Sequence, residues 1–113
     1  MKKLIGFKKV KTAVFISGIG SNLKNLIKFS RKKNSPISID LIVSNTYNAK
    51  VLIYSSQFKI KKKIFDFKKK NNNSDNQILF FLKKKNINLI CLAGFMKILS
   101  NNFIKKFNVK IIN

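Results

Sequence analysis

The sequence predicts an α/β domain with an open, mostly parallel sheet and helices on both faces, and three observations carry that expectation. Apolar runs of strand length alternate with amphipathic stretches of helical period in the order β-α-β-α-β-α-β-α-β. The strand-like runs are nearly continuous in apolar residues rather than alternating, as strands buried on both faces are. The first run ends in "SGIGSN", residues 17–22, a glycine-rich turn that opens directly into an amphipathic segment.

Each element follows from its local pattern. Thr12 to Ser17 (TAVFIS) is the first strand. From Ser21 onward Leu23, Leu26 and Ile27 recur at helical spacing, and the polar run SRKKNSP closes that helix before Pro36. Ile37 to Asn45 (ISIDLIVSN) is a second strand, Ala49 to Phe58 a short helix, and IKKKIFDF a third, more exposed strand. The low-complexity run KKKNNNSDN is a loop, and Ser74 followed by Gln77 is a capping-box signature for a helix whose apolar face uses Ile78, Leu79, Phe81 and Leu82. INLICLAG is a fourth strand; Ser100 then caps a brief helix carrying Phe103, Ile104 and Phe107, and VKIIN reads as a fifth strand cut off at its tip. There is no internal repeat and no linker, so residues 1–113 are one domain with residues 1–11 as a basic amino-terminal extension.

Composition narrows the function classes. At 113 residues and 45% hydrophobic content the chain can bury one core. A formal charge of +22, from 25 Lys and Arg against 3 acids, invites a polyanion partner. Lys, Asn, Ile and Phe make up well over half the chain, however, and all can be encoded with A and T alone, so drift in base composition accounts for the excess. A nucleic-acid reader favours Arg for bidentate contacts, and Arg31 is the only one. Neither nucleic acid nor membrane is expected as a partner: no apolar stretch approaches the roughly 18 to 20 residues of a bilayer span. Lys8, Lys9 and Lys11 interrupt what would be a signal-peptide core, so a cytoplasmic location is expected. With no His and few acids no metal site is expected, and Cys91 reads as a small apolar residue of a buried strand.

In an open parallel sheet, ligands bind beyond the carboxyl ends of the strands, and "SGIGSN", "AGFMKILS" and the terminal Asn113 all fall there. Gly18 and Gly20 permit a tight turn, and the amides of Gly20, Ser21 and Asn22 open the next helix, where free N–H groups and the positive helix end suit a phosphate. The turn lacks the Gly-Lys-Ser/Thr of a P-loop and the third glycine of a dinucleotide fingerprint, so a purely structural turn and a phosphate site both remain open. After the fourth strand Phe95, Met96, Ile98 and Leu99 can wall an apolar cleft for a flat heterocycle, or be ordinary core packing.

Three segments in order and spacing, "FISGIGSNLKNLI", "IVSN" and "LAGFMKILSNNFIKKF" leading into "KIIN", resemble the glycinamide ribonucleotide formyltransferases of purine synthesis. The resemblance runs from about Thr12 to Asn113 and covers the amino-terminal half of a typical member, so it implies a Rossmann-like formyltransferase fold whose carboxyl-terminal half is missing. It implies that Gly20, Ser21 and Asn22 bind the phosphoribosyl end of glycinamide ribonucleotide. It implies that Met96, Lys97, Ile98 and Leu99, with Asn113, bind the folate of the co-substrate 10-formyltetrahydrofolate, Lys97 standing where Arg is usual. Asn113 matches the asparagine that polarises the formyl group as the substrate amine attacks. The catalytic His and Asp of the family have no counterpart, because the chain contains no His and ends at Asn113. The fragment is therefore expected to be catalytically inactive, with Val109, Ile111 and Ile112 short of cover.

The related formyltetrahydrofolate deformylases share the run into "IIN" but have an added regulatory domain and a different first loop, and methionyl-tRNA formyltransferases differ at the first turn. A small polyanion-binding module, the alternative from another class, would concentrate its Lys residues in one stripe, whereas here they are spread along the chain through the helices and most loops.

Overall fold

In a computed structural model the structure describes residues 8–17, 22–47, 49–65, 73–95, 101–107 and 110–112. Nine elements follow one another in the expected alternation: β1 (Val10–Ile16), α1 (Leu23–Ser30), β2 (Ile37–Ser44), α2 (Ala49–Gln57), β3 (Lys61–Ile64), α3 (Asn73–Lys84), β4 (Leu89–Ala93), α4 (Asn101–Phe107) and β5 (Lys110–Ile112). The strands form one sheet in the order β3-β2-β1-β4-β5. Every neighbouring pair is parallel.

β1 is central because both its faces are apolar. Ala13 and Phe15 join one core with Ile78, Leu79 and Leu82 of α3 and Phe103 and Phe107 of α4. Val14 and Ile16 join a second core with Leu23 and Ile27 of α1 and Val51 of α2. Each face therefore carries one helix pair, and fully burying an Ile, Leu or Phe side chain contributes about 1.5–3 kcal/mol.

β2 departs from simple alternation. Thr12 pairs with Ile39 but Ala13 pairs with Leu41, so Asp40 is an extra residue, a β-bulge. Ile39 and Leu41 would otherwise share a face; the bulge sends Ile39 to the α1/α2 core and Leu41 to the α3/α4 core.

Two helices stop in the same way. After α2 the Ile60 amide donates to the Ser55 carbonyl (2.9 Å) and the Lys59 amide to Ser56 (3.3 Å). After α3 the Ile87 amide donates to Leu82 (2.9 Å) and the Asn86 amide to Lys83 (3.1 Å). Lys59 and Asn86 both sit at φ 57, the left-handed position of a Schellman end. Each motif delivers a buried isoleucine, Ile60 or Ile87, just ahead of the next strand.

Several boundaries differ from expectation. β1 begins at Val10, so Val10 and Lys11 belong to the sheet rather than to an extension; the Val10 amide donates to the Pro36 carbonyl at 2.8 Å. β3 is confined to Lys61–Ile64, and Asp66 and Phe67 lie outside the described residues. α3 starts at Asn73, which puts Ser74 inside its first turn rather than before it. Ser100, the expected cap of α4, and Val109 lie outside the described residues. Ile111 packs against the α3/α4 core, while Ile112 is 40% exposed.

Candidate active site at the carboxyl ends of β1 and β4

The strand order fixes where a ligand cleft forms. From β1 the chain leaves toward β2 through α1 on one face; from β4 it leaves toward β5 through α4 on the other. β1 and β4 are adjacent, with Ile16 beside Ala93, and are followed by helices on opposite faces, which makes their carboxyl ends the switch point where an open parallel sheet forms its ligand crevice.

At the β1 exit Ser17 is buried, and the chain re-enters the described region at Asn22. Asn22 is the N-cap residue of α1 with φ −93 and ψ −5, and its side chain makes no capping hydrogen bond. A capping side chain works from an extended backbone, and Asn22 is already turned into the helical region, which accounts for the missing cap bond. The first turn of α1 carries no acid, so no carboxylate of its own offsets the positive end of the helix. The arrangement suits an anion. Gly20 and Ser21 lie outside the described residues.

At the β4 exit Gly94 has φ +69, and a Cβ there would meet nothing within 4 Å. Glycine is needed for the turn, which opens onto free space. Phe95 follows with its ring edge-on to Phe15 at 5.4 Å, so the wall of the crevice is anchored in the central strand. Met96, Lys97, Ile98, Leu99 and Asn113 lie outside the described residues; Asn113 follows Ile112, whose partner in β4 is Cys91.

A feature missed in the sequence lies one strand away. At the end of β2 the Ser44 hydroxyl donates to the Thr46 carbonyl (2.8 Å) and accepts from the Thr46 amide (3.2 Å). This tight turn leaves the Asn45 Oδ1 buried without a hydrogen-bond partner, beside a hollow of about 330 Å³ lined by Asn45, Thr46, Tyr47, Ile64 and Phe65. "IVSN" marked the strand end, but the orphaned acceptor depends on how Ser44 turns the chain.

Cys91 packs against the α1/α2 core, and burial raises its thiol pKa above the ordinary 9.0, so it is protonated at neutral pH and a poor nucleophile. Among the described residues no three His, Cys, Asp or Glu side chains come together as metal ligands. No helix among them is long and apolar enough to cross a membrane.

The family model described as formyl transferase matches residues 10–113, from the first residue of β1 through all five strands. The chain belongs to the formyl transferase family. Within it the chain is identified with the phosphoribosylglycinamide formyltransferases, of which it matches an amino-terminal portion. It is 37% identical over 105 residues to the phosphoribosylglycinamide formyltransferase of Haemophilus influenzae, covering 91% of this chain and 50% of that protein. It is 39% identical over 108 residues to the human trifunctional purine biosynthetic protein adenosine-3, covering 94% of this chain and 11% of that protein. Among solved structures, the phosphoribosylglycinamide formyltransferase from Brucella melitensis superposes with a TM-score of 0.80 at 30% identity, covering 92% of this chain and 55% of that one. This formyltransferase chain thus spans about half the length of the single-function relatives it matches.

Proposed function

We propose that this chain supplies the substrate-phosphate and folate-binding portion of a phosphoribosylglycinamide formyltransferase, which moves the formyl group of 10-formyltetrahydrofolate onto the amine of glycinamide ribonucleotide. The observation that supports the reading is the switch point between the β1 and β4 exits, where Asn22 leads into α1 and Gly94 and Phe95 follow β4, because these residues belong to the two segments most typical of the family, "GSNL" and "LAGFMKIL". Gly20, Ser21 and Asn22 hold the substrate phosphate at the start of α1, where the bare helix end favours negative charge. Met96, Lys97, Ile98 and Leu99 line the folate side; the open space beyond Gly94 and the apolar wall of Phe95 fit a flat heterocycle there. The folate supplies the electrophilic formyl carbon. Asn113, the residue that follows β5 in the sequence, donates from its amide to the formyl oxygen as the amine adds. In keeping with purine synthesis, the protein works in the cytoplasm.

Proton transfer in this reaction needs a general acid or base close to neutral pKa, and the sequence contains no histidine. The 113-residue chain assayed alone is expected to transfer no formyl group above the uncatalysed background, and a rate well above it overturns the division of labour proposed here. Titration of the protein with glycinamide ribonucleotide tests the site itself. Asn22→Ala is expected to weaken binding about tenfold, the loss of one hydrogen bond to a charged group. Affinity unchanged both by that substitution and by removing the ligand's phosphate would rule the phosphate site out.

A further inference from the structure

A hollow of about 490 Å³ opens at the amino ends of the strands, the opposite end of the sheet from the crevice. Six cations line it: Lys9, Lys11, Arg31, Lys59, Lys61 and Lys85. They come from separate stretches of chain: the start of β1, the end of α1, the α2–β3 turn, β3 and the end of α3. One carboxylate, Asp40, faces them from the β2 bulge, and it already accepts a hydrogen bond from the Ser38 hydroxyl at 2.8 Å. No ion pair between Asp40 and these cations occurs among the described residues, so the hollow holds a surplus of five positive charges.

Two of the cations are fixed in place. Lys9 Nζ donates to the Ser30 carbonyl (2.7 Å) and the Lys32 carbonyl (2.8 Å), which satisfies the end of α1 and leaves the third ammonium proton unused. Arg31, the only arginine of the chain, donates to the Phe58 carbonyl and lies 5.5 Å from the centre of the Phe58 ring. Its planar fork is thereby pre-oriented, with most of its donors still available. Lys11, Lys59 and Lys61 are exposed and form no ion pair among the described residues. A concave wall with so large a surplus of positive charge focuses the field on whatever enters, and Ile39 and Ile60 are among the residues that line it.

We propose that this hollow is a binding site for a small anion carrying two or more linked phosphates. Its volume falls in the range of small-molecule sites. A single phosphate leaves most of the charge unmatched. A single-stranded nucleic acid takes a groove with aromatic platforms and a duplex takes an extended stripe of cations, whereas this is a closed-in hollow with no aromatic ring among the described residues that line it. Inorganic polyphosphate and the tail of a nucleoside triphosphate share the chemistry. The site is separate from the crevice, so it stands or falls independently of the formyl-transfer reading.

The experiment is calorimetric titration of the 113-residue chain with tripolyphosphate at physiological ionic strength. It compares Lys11→Gln/Lys61→Gln in the hollow with Lys105→Gln/Lys106→Gln on the exposed side of α4, which removes the same charge elsewhere. The expected result is saturable binding of one anion per chain, weakened about tenfold or more by the first pair and less than about twofold by the second. Equal weakening by both pairs means diffuse attraction to a basic protein and overturns the site, as does the absence of saturable binding. Tighter binding of duplex DNA or RNA, equally sensitive to both pairs, overturns it too. ATP competing at the same strength as tripolyphosphate supports a site that reads phosphates alone, and ATP competing more strongly supports a nucleotide as the source.

Discussion

Phe15 ties the central strand to the segment that walls the crevice. It is fully buried, edge-on to Phe95 at 5.4 Å and to Phe103 at 6.3 Å, and Phe103 stacks on Phe107 at 6.2 Å. Truncation therefore removes the backing of the β4 exit and the seat of α4 together. Phe15→Ala is expected to cost about 3–5 kcal/mol by urea denaturation. A loss under about 1 kcal/mol would mean that the surrounding rings close over the gap. Cys91 shows the opposite role for a side chain: it fills space against the α1/α2 core, and partial burial raises its thiol pKa.

At the level of elements, the two Schellman ends are a device for feeding strands. The motif closes the helix and turns the chain, and Ile60 or Ile87 lands in the core before the strand begins. At the end of α2 the left-handed position is a lysine, which lacks the tolerance of glycine, whereas the asparagine at the end of α3 adopts that region more readily. Lys59→Gly is expected to raise stability by about 0.5–1 kcal/mol, since the strain removed exceeds the extra chain entropy of glycine. Asn86→Gly is expected to gain less, and a loss of stability with Lys59→Gly in denaturant melts would show that the lysine stem contributes packing that outweighs its strain. The outer ridge of α3 is less well covered: Phe80 is 61% exposed, with Lys84 Nζ 6.0 Å from its ring centre.

Taken as a whole, the molecule carries +22 with only 3 acids, so self-repulsion opposes the compact state. Raising monovalent salt from about 0.01 M to about 0.15 M shortens the screening length from about 30 Å to about 8 Å. The thermal midpoint is expected to rise by about 4 °C or more over that range, the equivalent of about 1 kcal/mol in a chain of this size. A midpoint that stays flat in scanning calorimetry would mean that the cations are far enough apart for water alone to screen them.

The chain read by itself determined the alternation of strands and helices, the burial of the first strand on both faces, and the family that "GSNL" and "LAGFMKIL" mark. Those properties are local: the period of apolar residues and the chemistry of a turn are written in consecutive positions. Other features were not legible because they relate distant segments. The β2 bulge became visible only when Thr12 and Ala13 were paired with Ile39 and Leu41, the early start of β1 only from the bond between Val10 and Pro36, and the orphaned Asn45 Oδ1 only from the turn at Ser44. The lysines looked scattered along the chain, and along the chain they are. Tertiary structure alone decided that Lys9, Lys59 and Lys85 share one hollow, because strand order, not sequence order, sets which strand starts are neighbours.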